Sequence, residues 1–256
     1  AYKKDLKQAG VKTYRSVSEL RAEGDLQLSS VRFKHKGSEV ELDTELLLVH
    51  FGVIPNTHLS RAAGCNHAWD RSQQCWRPVI DRWGRSTVER ILIAGDSGGI
   101  VGARTAEHTG QLTALQAAHD LGVISRQERD ASGDQARKWL RGDQHVRPFL
   151  ENYFRIPDKC LATTPDNTII CRCEEVTAGD IRQAVADGYT DNNRIKSLTR
   201  CGMGPCQGRQ CDHSVAQIIA CAGGEKPGLN QHYRGRPPVT PLRLGQLASL
   251  YPEESE

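Results

Sequence analysis

Apolar runs along this chain are short and often interrupted by charge. Residues 4–9 read as the end of a helix and residues 11–17 as a strand. Residues 26–33 and 39–42 alternate apolar and polar positions around Lys36-Gly37, the pattern of a β-hairpin with a turn glycine. Residues 46–51 form an apolar run expected to be a buried strand, and residues 91–94 a second, shorter one ending in Gly95-Asp96. Between them, residues 57–87 show no period and read as irregular. A helix follows over residues 103–121, and residues 125–160 carry charged helical patches that read as a connecting segment. Further on, Thr177 and Asp180 have the spacing of a helix-capping box, with Ile181, Ala184 and Val185 on one face. A second helix is expected from about Gln207 to Ala220, which would put Cys206 at its N-terminus. No internal repeat is present. The resulting division is 1–122, a connector at 123–160, a cysteine-rich domain at 161–222 and an extended tail at 223–256.

Composition narrows the possibilities. In 256 residues, 38% are hydrophobic and 25% charged, and the net charge is only +3, which gives no electrostatic argument for nucleic acid. No apolar run approaches the ~18 residues of a membrane span. Five of the nine cysteines fall between 171 and 211. That crowding, without a secretory segment, favours reduced, metal-bound thiolates in the cytoplasm over disulfides.

Cys171 and Cys173 stand in I-I-C-R-C-E-E-V-T, and Cys206 and Cys211 in T-R-C-G-M-G-P-C-Q-G-R-Q-C. Two close pairs of this kind can close a four-thiolate site for an iron–sulfur cluster or a structural zinc. Zinc sites usually space each pair C-x-x-C, and Cys-Arg-Cys is tighter. Cys201 competes with Cys206 and Cys211 as a ligand. Cys65, Cys75, Cys160 and Cys221 read as ordinary thiols, and His108 as a packing or capping residue. No nucleophile–base arrangement stands out, so catalytic residues stay unassigned.

The cysteine region, residues 171–221, resembles the bacterioferritin-associated-ferredoxin-like [2Fe–2S] domain. Its G-M-G-P-C-Q-G-x-x-C version, with the tail R-P-P-V-T-P-L, resembles the alpha subunits of heteromeric FAD-dependent amine and amino-acid dehydrogenases, of the opine oxidase, hydrogen cyanide synthase and proline dehydrogenase kind. D-T-E-L-L-L-V with G-V-I-P-N, and I-L-I-A-G-D, resemble the two-dinucleotide-domain flavoproteins. The resemblance implies an α/β fold holding the C-terminal halves of two nucleotide domains, followed by a small helical cluster domain. It implies ligands Cys171, Cys173, Cys206 and Cys211, with Cys201 as a neighbouring thiol. It implies an FAD site at Gly95, Asp96, Gly102 and Ala103, with a plain turn at Gly-Asp-Ser-Gly-Gly as the competing reading. No G-x-G-x-x-G opens the sequence, so the cradle for the FAD pyrophosphate is expected outside it and the flavin site here to be incomplete. The expected activity is electron transfer through the cluster within a flavin-dependent oxidoreductase, and the expected partner is a second FAD-containing dehydrogenase subunit. The competing readings are an NAD(P)H-oxidising flavoprotein reductase and a non-enzymatic cluster- or metal-binding module.

Overall fold

The computed structural model describes residues 2–50, 52–155, 164–224, 232–235 and 237–250. The chain divides into two compact units, Ala1–Phe51 and Gly52–Glu256.

The first unit holds helix α1 (Tyr2–Gln8) and an antiparallel sheet of β1 (Val17–Gly24), β2 (Leu28–His35) and β3 (Ser38–Asp43), in that order. Val31 and Phe33 on the central strand are buried while Arg32 and Lys34 face out, the period of two that a half-covered sheet requires. Tyr14 closes the buried face, edge-on to Phe33 at 5.0 Å. Lys36 and Gly37 both take positive φ, as a two-residue hairpin turn of the right twist demands. Two expectations fail here. Residues 11–16 form no strand, and β1 begins only at Val17, in a polar stretch whose exposure hid it. The run at residues 46–50 is no strand either: Leu46, Leu48 and Val49 are 70%, 84% and 60% exposed. No strand lies beside it among the described residues, and an apolar run without a ladder partner has no reason to extend.

The second unit opens with α2 (His58–Ala62) and a hairpin of β4 (His67–Asp70) and β5 (Cys75–Pro78). The region expected to be irregular therefore contains regular elements. Trp69 and Trp76 face each other across the ladder at 5.5 Å, and Asp70 ties the turn by accepting from the Ser72 and Gln73 amides. Residues 91–94 contribute a single bridge, Arg85 to Leu92, and a buried Ile93, not a ladder strand. A 3₁₀ turn (Gly95–Gly98) leads toward α3 (Ala103–Asp120). α4 (Arg126–Ser132) starts on a capping box between Ser125 and Glu128, and α5 (Asp134–Tyr153) follows. Leu112, Ala136 and Trp83 form a shared core, and the Arg129 guanidinium lies 4.2 Å above the Trp83 ring.

The cysteine region comprises a short hairpin, β6 (Ile169–Cys171) and β7 (Val176–Thr177), then α6 (Ala178–Ala186), α7 (Asn192–Thr199) and α8 (Asp212–Gly223). Ile181, Ile195, Val215, Ile218 and Ile219 fill its core. The Thr177–Asp180 capping box forms as expected. α7 was not expected; Asp191 caps it by accepting from the Asn193 and Arg194 amides. α8 begins at Asp212, later than the sequence suggested, because Gln207 and Gly208 are both left-handed and interrupt any helix from Gln207. Cys206 therefore lies in the turn ahead of the helix, and Cys211 is its N-cap. The described part of the tail adds α9 (Leu244–Ala248) and a buried Tyr233. Among the described residues every ladder is antiparallel, so the structure is mixed α/β without the parallel sheet of a doubly wound domain. No described helix is long and apolar enough to cross a membrane.

Asp212 joins these pieces. Its Oδ2 accepts from Arg61 at 2.9 Å and from His232 Nδ1 at 2.8 Å, and its Oδ1 from Asn192 at 3.2 Å and the Tyr233 amide at 3.0 Å. Burial alone would raise this carboxyl; the His232 hydrogen bond, the His232 and Arg61 charges and the Tyr233 amide outweigh it and hold the group at about 2. Removing the carboxylate strands buried donors and a guanidinium, so Asp212→Ala should cost roughly 3–5 kcal/mol in urea unfolding. Glu89→Ala, at a side chain 90% exposed, should change nothing measurable. Because the folded value is depressed from 3.8, the Asp212 contribution is present above that pH and is lost as pH falls through about 2.

Candidate functional site

Chain segments far apart in sequence bring five cysteines to one place. β6 delivers Cys171, the following turn Cys173, the end of α7 leads into Cys201, and the loop before α8 carries Cys206 and Cys211. The sulfurs of Cys171, Cys201 and Cys211 lie within 4.8 Å of one another, and all three residues are buried. Cys173 and Cys206 pair beside them, Cys173 exposed and Cys206 half-buried, with Cys171 close enough to act on Cys173 electrostatically. The four expected ligands thus share one patch, and Cys201 lies inside it rather than at its margin.

The backbone wraps this patch closely. A Cβ on Gly204 would sit 2.3 Å from Cys173 Cβ, so only glycine allows the two turns to meet. The Gly202 amide donates to Cys171 Sγ at 3.4 Å. Burial works against ionisation of Cys206, but the Gln210, Gly208 and Arg209 amides and the Cys173 thiol turn toward its sulfur and hold its pKa below the usual thiol range. Cys201 is held at about 7, chiefly by the Cys211 thiol and against burial, while Cys211 is pushed up by its Cys201 neighbour. Sulfurs crowded this way, with backbone amides turned toward them, are the kind of donor set a soft metal centre takes.

The other thiols lie elsewhere. Burial pushes Cys75 up to about 12, leaving it inert; Cys65 is buried and Cys221 exposed, and Cys160 lies outside the described residues. His108 packs on Trp139, with ring centroids 4.5 Å apart.

The expected flavin residues gather around the 3₁₀ turn and the start of α3. Asp96 Oδ1 accepts from the Val101 amide at 2.9 Å and the Gly102 amide at 3.3 Å. Gly102 takes φ +84°, and α3 begins at Ala103 with no side-chain cap, leaving first-turn amides for a ligand. A Cβ on Gly95 would meet Ala106 Cβ at 3.3 Å, so the turn lies flush on the helix. Gly98 backs onto Ile80, 2.9 Å from where its Cβ would be. A cavity of about 380 Å³ opens beside the turn, lined by Gly95, Gly98, Ile93 and Val101 among others. Arg147 of α5 grips the loop through the Ile100 carbonyl at 3.0 Å and the Val101 carbonyl. Neither Arg147 nor Asp212 was singled out from sequence: one is an arginine in a charged helix, the other an acid beside a cysteine.

Brief alkylation of the metal-free chain should label Cys173 and Cys221 first, and Cys75, Cys171, Cys201 and Cys211 only on denaturation, as mass spectrometry would read. Fast labelling of Cys211 would contradict this packing.

Residues 1–120 match the pyridine nucleotide-disulphide oxidoreductase family and residues 166–250 the sarcosine oxidase A3 domain. The chain is 40% identical over 246 residues to an opine oxidase subunit of Rhizobium meliloti, covering 94% of this chain and 45% of that protein. It is 29% identical over 257 residues to hydrogen cyanide synthase subunit HcnB of Pseudomonas aeruginosa, covering 96% and 54%. The crystal structure of L-proline dehydrogenase from P. horikoshii shares the fold, with a TM-score of 0.73 at 21% identity, over 96% of this chain and 47% of that one. The chain spans about half the length of these relatives, and along nearly all of its own length it is similar to subunits of oxidoreductases.

Proposed function

We propose that this chain is the electron-transfer part of a flavin-dependent oxidoreductase, with a [2Fe–2S] cluster held by Cys171, Cys173, Cys206 and Cys211. The observation that carries the reading is the convergence of five cysteines, from separated segments, on one patch wrapped by backbone amides. Bound there, such a cluster supplies one-electron relay chemistry. The chain's part is to hold it, exclude water from its inner face and tune it with N–H groups; Cys201 is a neighbouring thiol. Opine oxidase among the relatives points to a secondary amine or amino acid as the substrate class, and their names as subunits point to an FAD-containing partner. A compartment that keeps thiols reduced, such as the cytoplasm, suits the exposed Cys173.

The flavin residues fit a part of FAD. The uncapped α3 N-terminus and the glycine turn suit an oxygen-rich group, and a ribityl hydroxyl would donate to Asp96, whose Oδ1 already braces the loop. The pyrophosphate has no G-x-G-x-x-G cradle in these 256 residues.

Cys171→Ser, Cys173→Ser, Cys206→Ser and Cys211→Ser should each lose most of the iron after anaerobic reconstitution, and Cys201→Ser should keep it. Loss in Cys201→Ser with retention in Cys206→Ser or Cys211→Ser would reassign the ligands. The 256-residue chain should not retain stoichiometric FAD, whereas a longer chain with the pyrophosphate cradle should. In that longer chain Asp96→Ala should weaken retention by roughly 1.5–3 kcal/mol, the worth of a hydrogen bond to a charged group. Yellow protein from the present chain alone would overturn this part of the reading.

A further inference from the structure

Tyr233 belongs to no motif, yet its ring is as buried as the core around it, at 6% exposure, and packs in the same cluster as Cys171, Cys201 and Cys211. Its hydroxyl is fully enclosed and has no partner of good hydrogen-bond geometry, with the Cys201 thiol beside it. A buried phenol without a partner is an exception that asks for a reason. The ring is also held with unusual care. A Cβ on Gly202 would lie 2.5 Å from it and one on Gly208 2.6 Å, so two glycines of the cysteine loops form its floor. The Lys196 ammonium stands 5.2 Å from the ring centroid, and the Tyr233 amide is fixed on Asp212. These contacts fix the ring with its hydroxyl beside Cys201 and within electrostatic reach of Cys211.

We propose that the Tyr233 hydroxyl donates a hydrogen bond to a sulfur of the bound cluster and thereby raises its reduction potential. This rests on the reading of the cysteines as [2Fe–2S] ligands. A thiolate or sulfide bonded to iron carries more negative charge than a free thiol and is a better acceptor, which would supply the partner the hydroxyl lacks. Reduction adds a further negative charge, so a donor at sulfur stabilises the reduced state more than the oxidised one. The Lys196 cation over the ring draws density from the phenol and strengthens it as a donor.

The test uses the full 256-residue chain, reconstituted anaerobically with iron and sulfide, with iron content and potential measured separately. Tyr233→Phe should keep its iron, and its potential should fall by about 59 mV, a tenfold change for a one-electron couple. Full iron with an unchanged potential would overturn the proposal. Should Tyr233→Phe fail to hold iron, the unmutated Tyr233 still tests the proximity that the hydrogen bond requires. Protein made with ring-deuterated tyrosine in a Tyr189→Phe background should show deuterium couplings to the reduced cluster by pulsed EPR, and their absence would overturn the proposal. A wild-type chain that takes up no iron would remove the parent reading, and this proposal with it.

Discussion

A single buried carboxylate organises the second unit. Asp212 is 4% exposed and accepts four hydrogen bonds, from α2, α7 and the segment at 232–233. Its worth lies less in added stability than in position, because replacing a buried ion pair with apolar residues is often neutral while breaking one is costly. Asp212 follows Cys211 directly at the start of α8. Whatever fixes the carboxylate fixes that cysteine, and with it the sulfur patch. The Tyr233 amide on Oδ1 fixes a residue of the tail against the same patch. The cysteine loops could not hold their shape by hydrophobic burial alone, since they are turns rich in glycine with left-handed residues at Gln207 and Gly208.

The same logic recurs at the other candidate site. The glycine-rich turn before α3 has little apolar surface, so polar contacts define it. Asp96 braces the loop from within through the Val101 and Gly102 amides, and Arg147 holds the Ile100 and Val101 carbonyls from α5. In both places a charged side chain from a regular helix, or at its start, satisfies the backbone of an irregular loop. The loops then hold their shape with amides and sulfurs placed at the two candidate sites.

The parts of the sequence that could be read were those whose signal is local. The Lys36-Gly37 hairpin, the α3 helix and the Thr177–Asp180 cap each depend on residues a few positions apart, and each formed. The cysteine pairs could be noticed for the same reason, because Cys171 and Cys173, and Cys206 and Cys211, sit close in sequence. What sequence could not show depended on distant partners. The runs at 46–51 and 91–94 looked like buried strands, but a strand exists only by pairing, and among the described residues no ladder forms at either. The β4–β5 hairpin was missed because its four-residue strands are too short to show a period and its Trp69–Trp76 pairing is visible only across the turn. Tyr233 and Arg147 act at sites far from them in sequence, and nothing beside them marks that role.

Mössbauer spectroscopy of the chain reconstituted with ⁵⁷Fe, together with iron and acid-labile sulfide counts, tests the central claim most directly. A [2Fe–2S] centre on this patch predicts about two irons and two sulfides per chain, antiferromagnetically coupled to a diamagnetic state when oxidised. A single stoichiometric zinc that iron does not displace, with no visible absorbance, would contradict it.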